Sequence, residues 1–382
     1  MIIKRHLEAA LRKSKKSVLL FGPRQTGKST LMKLLAPELE INLAHEPTYL
    51  AFTRNSGELE ERLRAQPIRT VFIDEIQKLP SLLNTIQTII DQTQGGIQFY
   101  LTGSSARKLR RGQANLLPGR IHTYHLGPLV ASELDHHMNI KEALSTGTLP
   151  GIWTEKDMEE KQKTLRSYAA TYLKEEIQAE ALTRNIEGFS RFLFAVRAEA
   201  GKFLDLSKLA LEAQLPYQSA LRYFEILEDT LVIRRCDSFR KSIRRRLVQR
   251  PRFFFFDTGV LNGLLENFLP SQDRIGILFE HFVFNQIVDS AQAKDKSLRI
   301  SSYRTEHGAE VDFIVEWEGK VFAVETKASS TVGHSDLRGL KSFAEYYGKK
   351  HTPVILYLGS LTKVLEGVKV FPWQMFLKEI GL

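Results

Sequence analysis

The residues best suited to chemistry lie near the start of the chain. Gly22, Pro23, Arg24, Gln25, Thr26, Gly27, Lys28 and Ser29 fit the spacing G-x-x-x-x-G-K-[ST], with Thr30 directly behind. In such a loop the glycines let backbone N–H groups wrap a phosphate chain, and the following helix adds its positive dipole end. Lys28 would reach the outer phosphates, and the Ser29 hydroxyl would ligate Mg²⁺. Further along, the apolar run Thr70–Ile73 ends in Asp74 and Glu75. Asp74 would meet the ion held by Ser29. Glu75 would polarise the attacking water, the role that separates hydrolysis from mere binding. The next apolar run ends in Thr102-Gly103-Ser104-Ser105, where Ser104 could sense the terminal phosphate; a plain hydroxyl-rich turn would look the same.

A second set of charged residues stands near the other end. Glu280 falls in an apolar helical stretch, Asp312 in the strand-like Glu310–Glu316, and Glu325 and Lys327 close the strand-like Lys320–Lys327. The carboxylates of Glu280, Asp312 and Glu325 could gather one or two Mg²⁺ ions, joined by the backbone carbonyl of Thr326. Lys327 could then orient or deprotonate a water. Two residues apart on a strand, Glu325 and Lys327 face the same way.

The elements that must position these groups follow from apolar periodicity. Ser17–Phe21, Thr48–Phe52, Thr70–Ile73, Ile97–Leu101 and Arg120–Leu126 read as strands. Lys28–Ala36, Ser56–Ala65 and Ser81–Gln94 read as intervening helices, which predicts a parallel α/β sheet. Glu155–Leu182 and Glu187–Ala200 are charged helical segments without strand signal. From Asp205 the pattern is helix, tight turn, helix, then the strands Thr230–Arg235 and Arg252–Phe256, the last with four core phenylalanines. A long helix after Gln272 and strands at Leu298–Arg304, Glu310–Glu316, Lys320–Lys327 and Pro353–Leu358 predict a second, smaller α/β unit. Expected boundaries are 1–135 for the loop-bearing domain and 136–200 for a helical lid or linker. Residues 201–262 would form a winged-helix domain and 263–382 the C-terminal domain.

Composition narrows the partners. The 382 residues carry a formal net charge of +10, with 43% hydrophobic and 26% charged residues, the balance of a soluble globular protein. The lone Cys236 excludes an internal disulfide or a cysteine-based zinc site and favours a reducing compartment, so a cytoplasmic location is expected. No apolar run approaches the length of a membrane span, and the basic N-terminus lacks a signal peptide's apolar stretch. Residues 1–150 carry a net +7, residues 151–260 +4 and residues 261–382 −1. The densest basic run, Arg240–Arg252, sits where the tip of a wing would be. Arg240, Lys241, Arg244, Arg245, Arg246 and Arg250 suit phosphate oxygens, while Gln218, Ser219 and Arg222 lie on the outward side of the second helix. DNA contact is the expectation; a winged helix used only for packing between domains shares the pattern.

The segments GPRQTGKST, TVFIDEIQKLP, YLTGSSARKL and LPGRIHTYHLGPLVASEL resemble the AAA+ superfamily, and more closely its archaeal-type ATPase branch. The resemblance implies ATP and Mg²⁺ as cofactors and a homo-oligomer, such as a hexameric ring. It makes Arg120, in LPGR, the arginine that reaches a γ-phosphate in its own or a neighbour's site; Arg107, Arg110 and Arg111 are alternatives. LFEHFVF and EVDF…AVETKAS, together with YLKEEI and FFFFDTGVL, resemble the C-terminal domain commonly fused to such ATPases, considered related to PD-(D/E)xK nucleases. Val311 stands where that motif has proline. The implied fold is a P-loop AAA+ parallel sheet, a helical and winged-helix middle and a restriction-endonuclease-like α/β end. The implied function is a DNA-acting ATPase that remodels or translocates duplex or branched DNA, with a nuclease domain that is either active or a scaffold. The other reading is a nucleotide-regulated switch acting on a protein partner.

Overall fold

The computed structural model describes residues 2–104, 117–172, 185–239 and 250–382. The chain is mixed α/β and divides into two compact units. One contains residues 1–127 with 229–231 and 292–295, and the other contains 128–228, 232–291 and 296–382.

The first unit is built on a parallel sheet of five strands: β1 (Ser17–Phe21), β2 (Leu39–Asn42), β3 (Thr70–Asp74), β4 (Gln98–Gly103) and β5 (Ile121–His125). Their order is β2-β3-β4-β1-β5. Both faces are covered, so the central strands read as unbroken apolar runs, and every residue of β1 is buried. The structure corrects one strand. Thr48–Phe52 lies in the helix Glu46–Arg54, where Pro47 occupies the first turn, Glu46 suits the N-terminal dipole and only Phe52 is buried. A short apolar run that needs only one buried side chain has no call for a sheet. The strand that fills that place is β2, an edge whose burial alternates around Ile41.

The second unit joins a helical region to a mixed sheet of eight strands. These are β6 (Ile233–Ser238), β7 (Arg252–Phe255), β8 (Leu298–Arg304), β9 (Glu310–Trp317), β10 (Lys320–Lys327), β11 (Thr352–Tyr357), β12 (Lys363–Leu365) and β13 (Val368–Pro372). The order is β12-β13-β11-β10-β9-β8-β6-β7. The helices Leu206–Glu212 and Tyr217–Asp229 stand where sequence placed them, followed by the antiparallel pair β6–β7. Strand β6 also pairs with β8, Asp237 against Ser301, so this pair is hydrogen-bonded into the larger sheet. One apolar core runs from Ala131 to Leu382 and includes Phe253, Phe254, Phe255 and Phe256. The expected boundaries at 200 and 262 both fall inside this unit.

Within the helical region the helix Ile140–Thr146 ends against the helix Thr258–Leu265. Thr258 Oγ1 donates to the Ala143 carbonyl at 2.6 Å, and Asn262 Nδ2 donates to the Leu144 and Ser145 carbonyls at 2.8 and 2.7 Å. The Ala143 carbonyl also accepts from Gly147 N–H at 3.0 Å, and side chains over a hundred residues away serve the carbonyls at this helix end. The approach requires Gly259, whose added Cβ would lie 2.1 Å from the Thr146 carbonyl oxygen.

Candidate active site

The loop between β1 and the helix Lys28–Lys33 takes the shape its glycines permit. Gly27 has φ 91°, a left-handed conformation that any other residue would hold at a cost. Thr26 Oγ1 donates to the Pro23 carbonyl at 2.9 Å, closing the loop on itself. Buried Lys28 donates from Nζ to the Gly22 and Pro23 carbonyls, both at 2.8 Å, so its ammonium lies across the loop's mouth.

The partner carboxylates come from β3, two strands away in the sheet but adjacent in space. Ser29 Oγ donates to Asp74 Oδ1 at 3.0 Å, which brings together the hydroxyl and carboxylate that would share Mg²⁺. Thr102 Oγ1 donates to the same oxygen, and Glu75 N–H donates to Thr102 Oγ1 at 3.1 Å. Glu75 itself has φ 58°, a left-handed residue directly after the strand. Its carboxylate accepts from Gln77 Nε2, which also donates to Ser104 Oγ at 3.0 Å. Ser104 therefore reaches Glu75 through one amide. These residues fit a nucleotide and its ion: hydroxyl, carboxylate, ammonium and a half-buried glutamate converge at the C-terminal ends of β1, β3 and β4.

Three supporting residues escaped the sequence. Thr102 stood in the recognised TGSS turn, and Gln77 in IQKLP follows Glu75 at a spacing that could have pointed to it. Arg5 gave no signal beyond its charge. It is buried and donates to the Thr26 carbonyl at 2.7 Å and the Gly127 carbonyl at 2.9 Å, bracing the loop from beneath. Arg120 is not brought to this site. It precedes β5, whose Ile121 pairs with Ser17 at the start of β1, whereas the loop follows Phe21. Four residues of strand put about 13 Å between those ends. There Arg120 grips Asp91 with two bonds, at 2.6 and 2.9 Å. Arg107, Arg110 and Arg111 lie outside the described residues.

In the second unit, Glu280, Asp312, Glu325 and Lys327 are neighbours, as the alternation of β9 and β10 requires. Asp312 Oδ2 accepts from Thr326 N–H at 2.7 Å and Thr326 Oγ1 at 2.8 Å. Lys327 Nζ lies 2.9 Å from Glu325 Oε1 and 3.5 Å from Asp336 Oδ1. Burial, and then the charge of Asp312, pushes the Glu280 and Glu325 carboxyls upward, while Arg252 beside Glu280 and Lys327 beside Glu325 pull them back toward the charged form. Among the described residues no three His, Cys, Asp or Glu side chains are grouped to hold a metal. Glu280 instead pairs with Arg252, counted in sequence as the last member of the basic run.

His281, beside Glu280 on the long helix Ile275–Ala293, is fully buried with Nε2 2.6 Å from the Phe255 carbonyl oxygen. Burial holds its pKa down at about 4, below the ordinary imidazole value of 6.5. The neutral ring's contribution is present above pH 6.5 and is lost as pH falls toward 4, amounting to roughly 3 kcal/mol in all. His281→Gln is therefore expected to flatten acid sensitivity. Urea titrations at pH 7 and pH 5 should show wild type losing about 2 kcal/mol more than the variant. Equal losses would remove His281 from the account.

Of the residues expected to meet DNA, Gln218 and Arg222 are exposed on the helix Tyr217–Asp229 and Ser219 is half-buried. Arg250 is exposed and pairs with Asp205 at 2.6 Å. Arg240, Lys241, Arg244, Arg245 and Arg246 lie outside the described residues, as does most of Tyr172–Ile177.

Residues 14–134 match the AAA domain, so the first unit carries an AAA-type ATPase domain. Residues 138–271 and 275–376 match two domains of unknown function (DUF8612 and DUF4143). The chain is 26% identical over 329 residues to uncharacterized proteins of Mycobacterium tuberculosis and Mycobacterium bovis, covering 82% of this chain and 70% of each of theirs. Among solved structures it is similar to a STAND signal-transduction ATPase with a tetratricopeptide repeat sensor from Pyrococcus horikoshii (12% identity, 77% of this chain, 47% of that chain, TM-score 0.29). It is also similar to the Pif1 helicase of Candida albicans (18%, 44%, 48%, 0.25). A third is the replication initiator DnaA bound to AMPPCP and single-stranded DNA (12%, 58%, 85%, 0.28). The chain spans about half the length of each Pif1 chain it matches. Among the described residues no helix is long and apolar enough to cross a membrane.

Proposed function

We propose that this chain hydrolyses Mg·ATP at the Gly22–Ser29 loop and uses the cycle to remodel or move along duplex or branched DNA. The observation that carries the reading is the contact of Ser29 with Asp74, with Glu75 positioned alongside by Thr102 and Gln77. Lys28 would exchange its loop carbonyls for phosphate oxygens, Ser29 and Asp74 would hold the ion, and Glu75 would take a proton from the attacking water. Mg²⁺ supplies neutralisation of phosphate charge. In a homo-oligomer, Arg120 is offered to a neighbouring subunit's nucleotide, because it stands at the far end of its own sheet.

DNA contact is assigned to the second unit: Gln218, Ser219 and Arg222 on an exposed helix face, Arg250, and the run Arg240 to Arg246. The basic excess of residues 1–260 supports it. Binding to a fluorescent duplex should weaken steeply as salt rises. Replacing Arg244, Arg245 and Arg246 by alanine should reduce the slope of log K against log salt by about three. ATP turnover should rise with junction DNA more than with linear duplex. An affinity without salt dependence would sink this reading and leave the other, a nucleotide-regulated switch acting on a protein. The ion-paired state of the carboxylates favours that second role for the C-terminal strands, as a platform.

A further inference from the structure

The acidic cluster of the second unit is crossed by one buried cation. Arg252 opens β7, where it pairs with Cys236, and its side chain is only 5% exposed. Nε and Nη2 both donate to the Gly201 carbonyl, at 2.8 and 2.5 Å, which fixes the plane of the guanidinium. The rings of Phe203 and Phe254 lie against it, with centroids 5.7 and 5.2 Å away. So anchored, Nη1 has one direction left: it pairs with Glu280 and lies 3.9 Å from Glu310 Oε1. Glu310 is held in turn by Arg304 at 3.4 Å.

Two of the oxygens a cation would need are already committed: one of Asp312 accepts two bonds from Thr326, and Oε1 of Glu325 is held by Lys327. A divalent ion of this class asks for about six oxygens in a tight shell, several of them water. The guanidinium offers the opposite, five donors in a fixed plane and a permanent charge. We infer that Arg252 takes the place a metal would hold among Glu280, Asp312 and Glu325, making the cluster a closed ion-paired core of the fold. To admit a metal, the protein would have to evict a guanidinium that is fixed to Gly201 and packed between two aromatic rings.

The inference is tested on the full chain without nucleotide. Titration with Mn²⁺, read by electron paramagnetic resonance of the free ion, should give superimposable isotherms for wild type and Asp312→Ala. A Mn²⁺ bound by wild type and missing from Asp312→Ala would overturn it. The second arm reads stability. Arg252→Gln leaves Glu280 buried without its cation and should lower Tm by roughly 5–10 °C or prevent folding. Adding Glu280→Gln removes both charges and should restore most of the loss. An Arg252→Gln protein as stable as wild type, or a double variant no better than the single, would equally overturn it.

Discussion

Glu75→Gln is expected to slow ATP turnover by two to three orders of magnitude while leaving nucleotide affinity within about twofold of wild type. The substitution keeps shape and removes only the carboxylate's ability to take a proton. Its backbone would stay where it is, because Glu75 N–H is held by Thr102 Oγ1, and the loop, Lys28, Ser29 and Asp74 are untouched. Phosphate release gives the rate, and a fluorescent ATP analogue gives the affinity. If turnover falls less than tenfold, Glu75 is not the base. If affinity falls in step with rate, it is a binding residue instead.

Asp257→Ala should destabilise the second unit by about 3 kcal/mol. Asp257 is buried, caps the helix Thr258–Leu265 by accepting from Val260 N–H at 3.0 Å, and accepts from Thr148 N–H at 2.8 Å. Its carboxyl fills the space beside Gly147, where an added Cβ would sit 2.0 Å from Oδ1. Alanine would remove a cap and strand a buried N–H together, and the two losses add. Trp153, Trp317 and Trp373, all the tryptophans of the chain, lie in this unit, so their fluorescence follows it alone. Burial raises the Asp257 pKa to about 6 from 3.8, so the proton-linked part of its contribution is full below pH 3.8 and is lost as pH rises through 6, while the two accepted N–H bonds remain. Asp257→Asn, uncharged and with one acceptor oxygen retained, should fall well short of the alanine loss above pH 6. An unchanged urea midpoint in Asp257→Ala would remove the cap from the account.

What could be read in advance was what the chain writes locally. The phosphate loop carries its glycines, lysine and serine in eight consecutive residues, and the strand and helix around it are strong runs. Asp74 and Glu75 close an apolar strand, so their position at its carboxyl end follows from the strand itself. Thr48–Phe52 misled because a short apolar run has no period of its own, and the sheet partner of β3 was decided by packing. Arg252 shows a different limit. Charge counting placed it with the basic run before it, yet the strand turns it inward to Glu280, a partner 28 residues away whose nearness only the sheet and the long helix create. The pairing of β6 with β8 is equally non-local and left no mark in either strand.

The helix Ile140–Thr146 lies in the segment expected to be a lid or linker. Its end is held by Thr258 and Asn262, with Gly259 letting the two backbones nearly touch. Moving this helix away would take side-chain donors from three carbonyls, of which that of Ala143 also accepts from Gly147 N–H at 3.0 Å. The two helices are tied end to end, so displacing either one strips hydrogen bonds from the other.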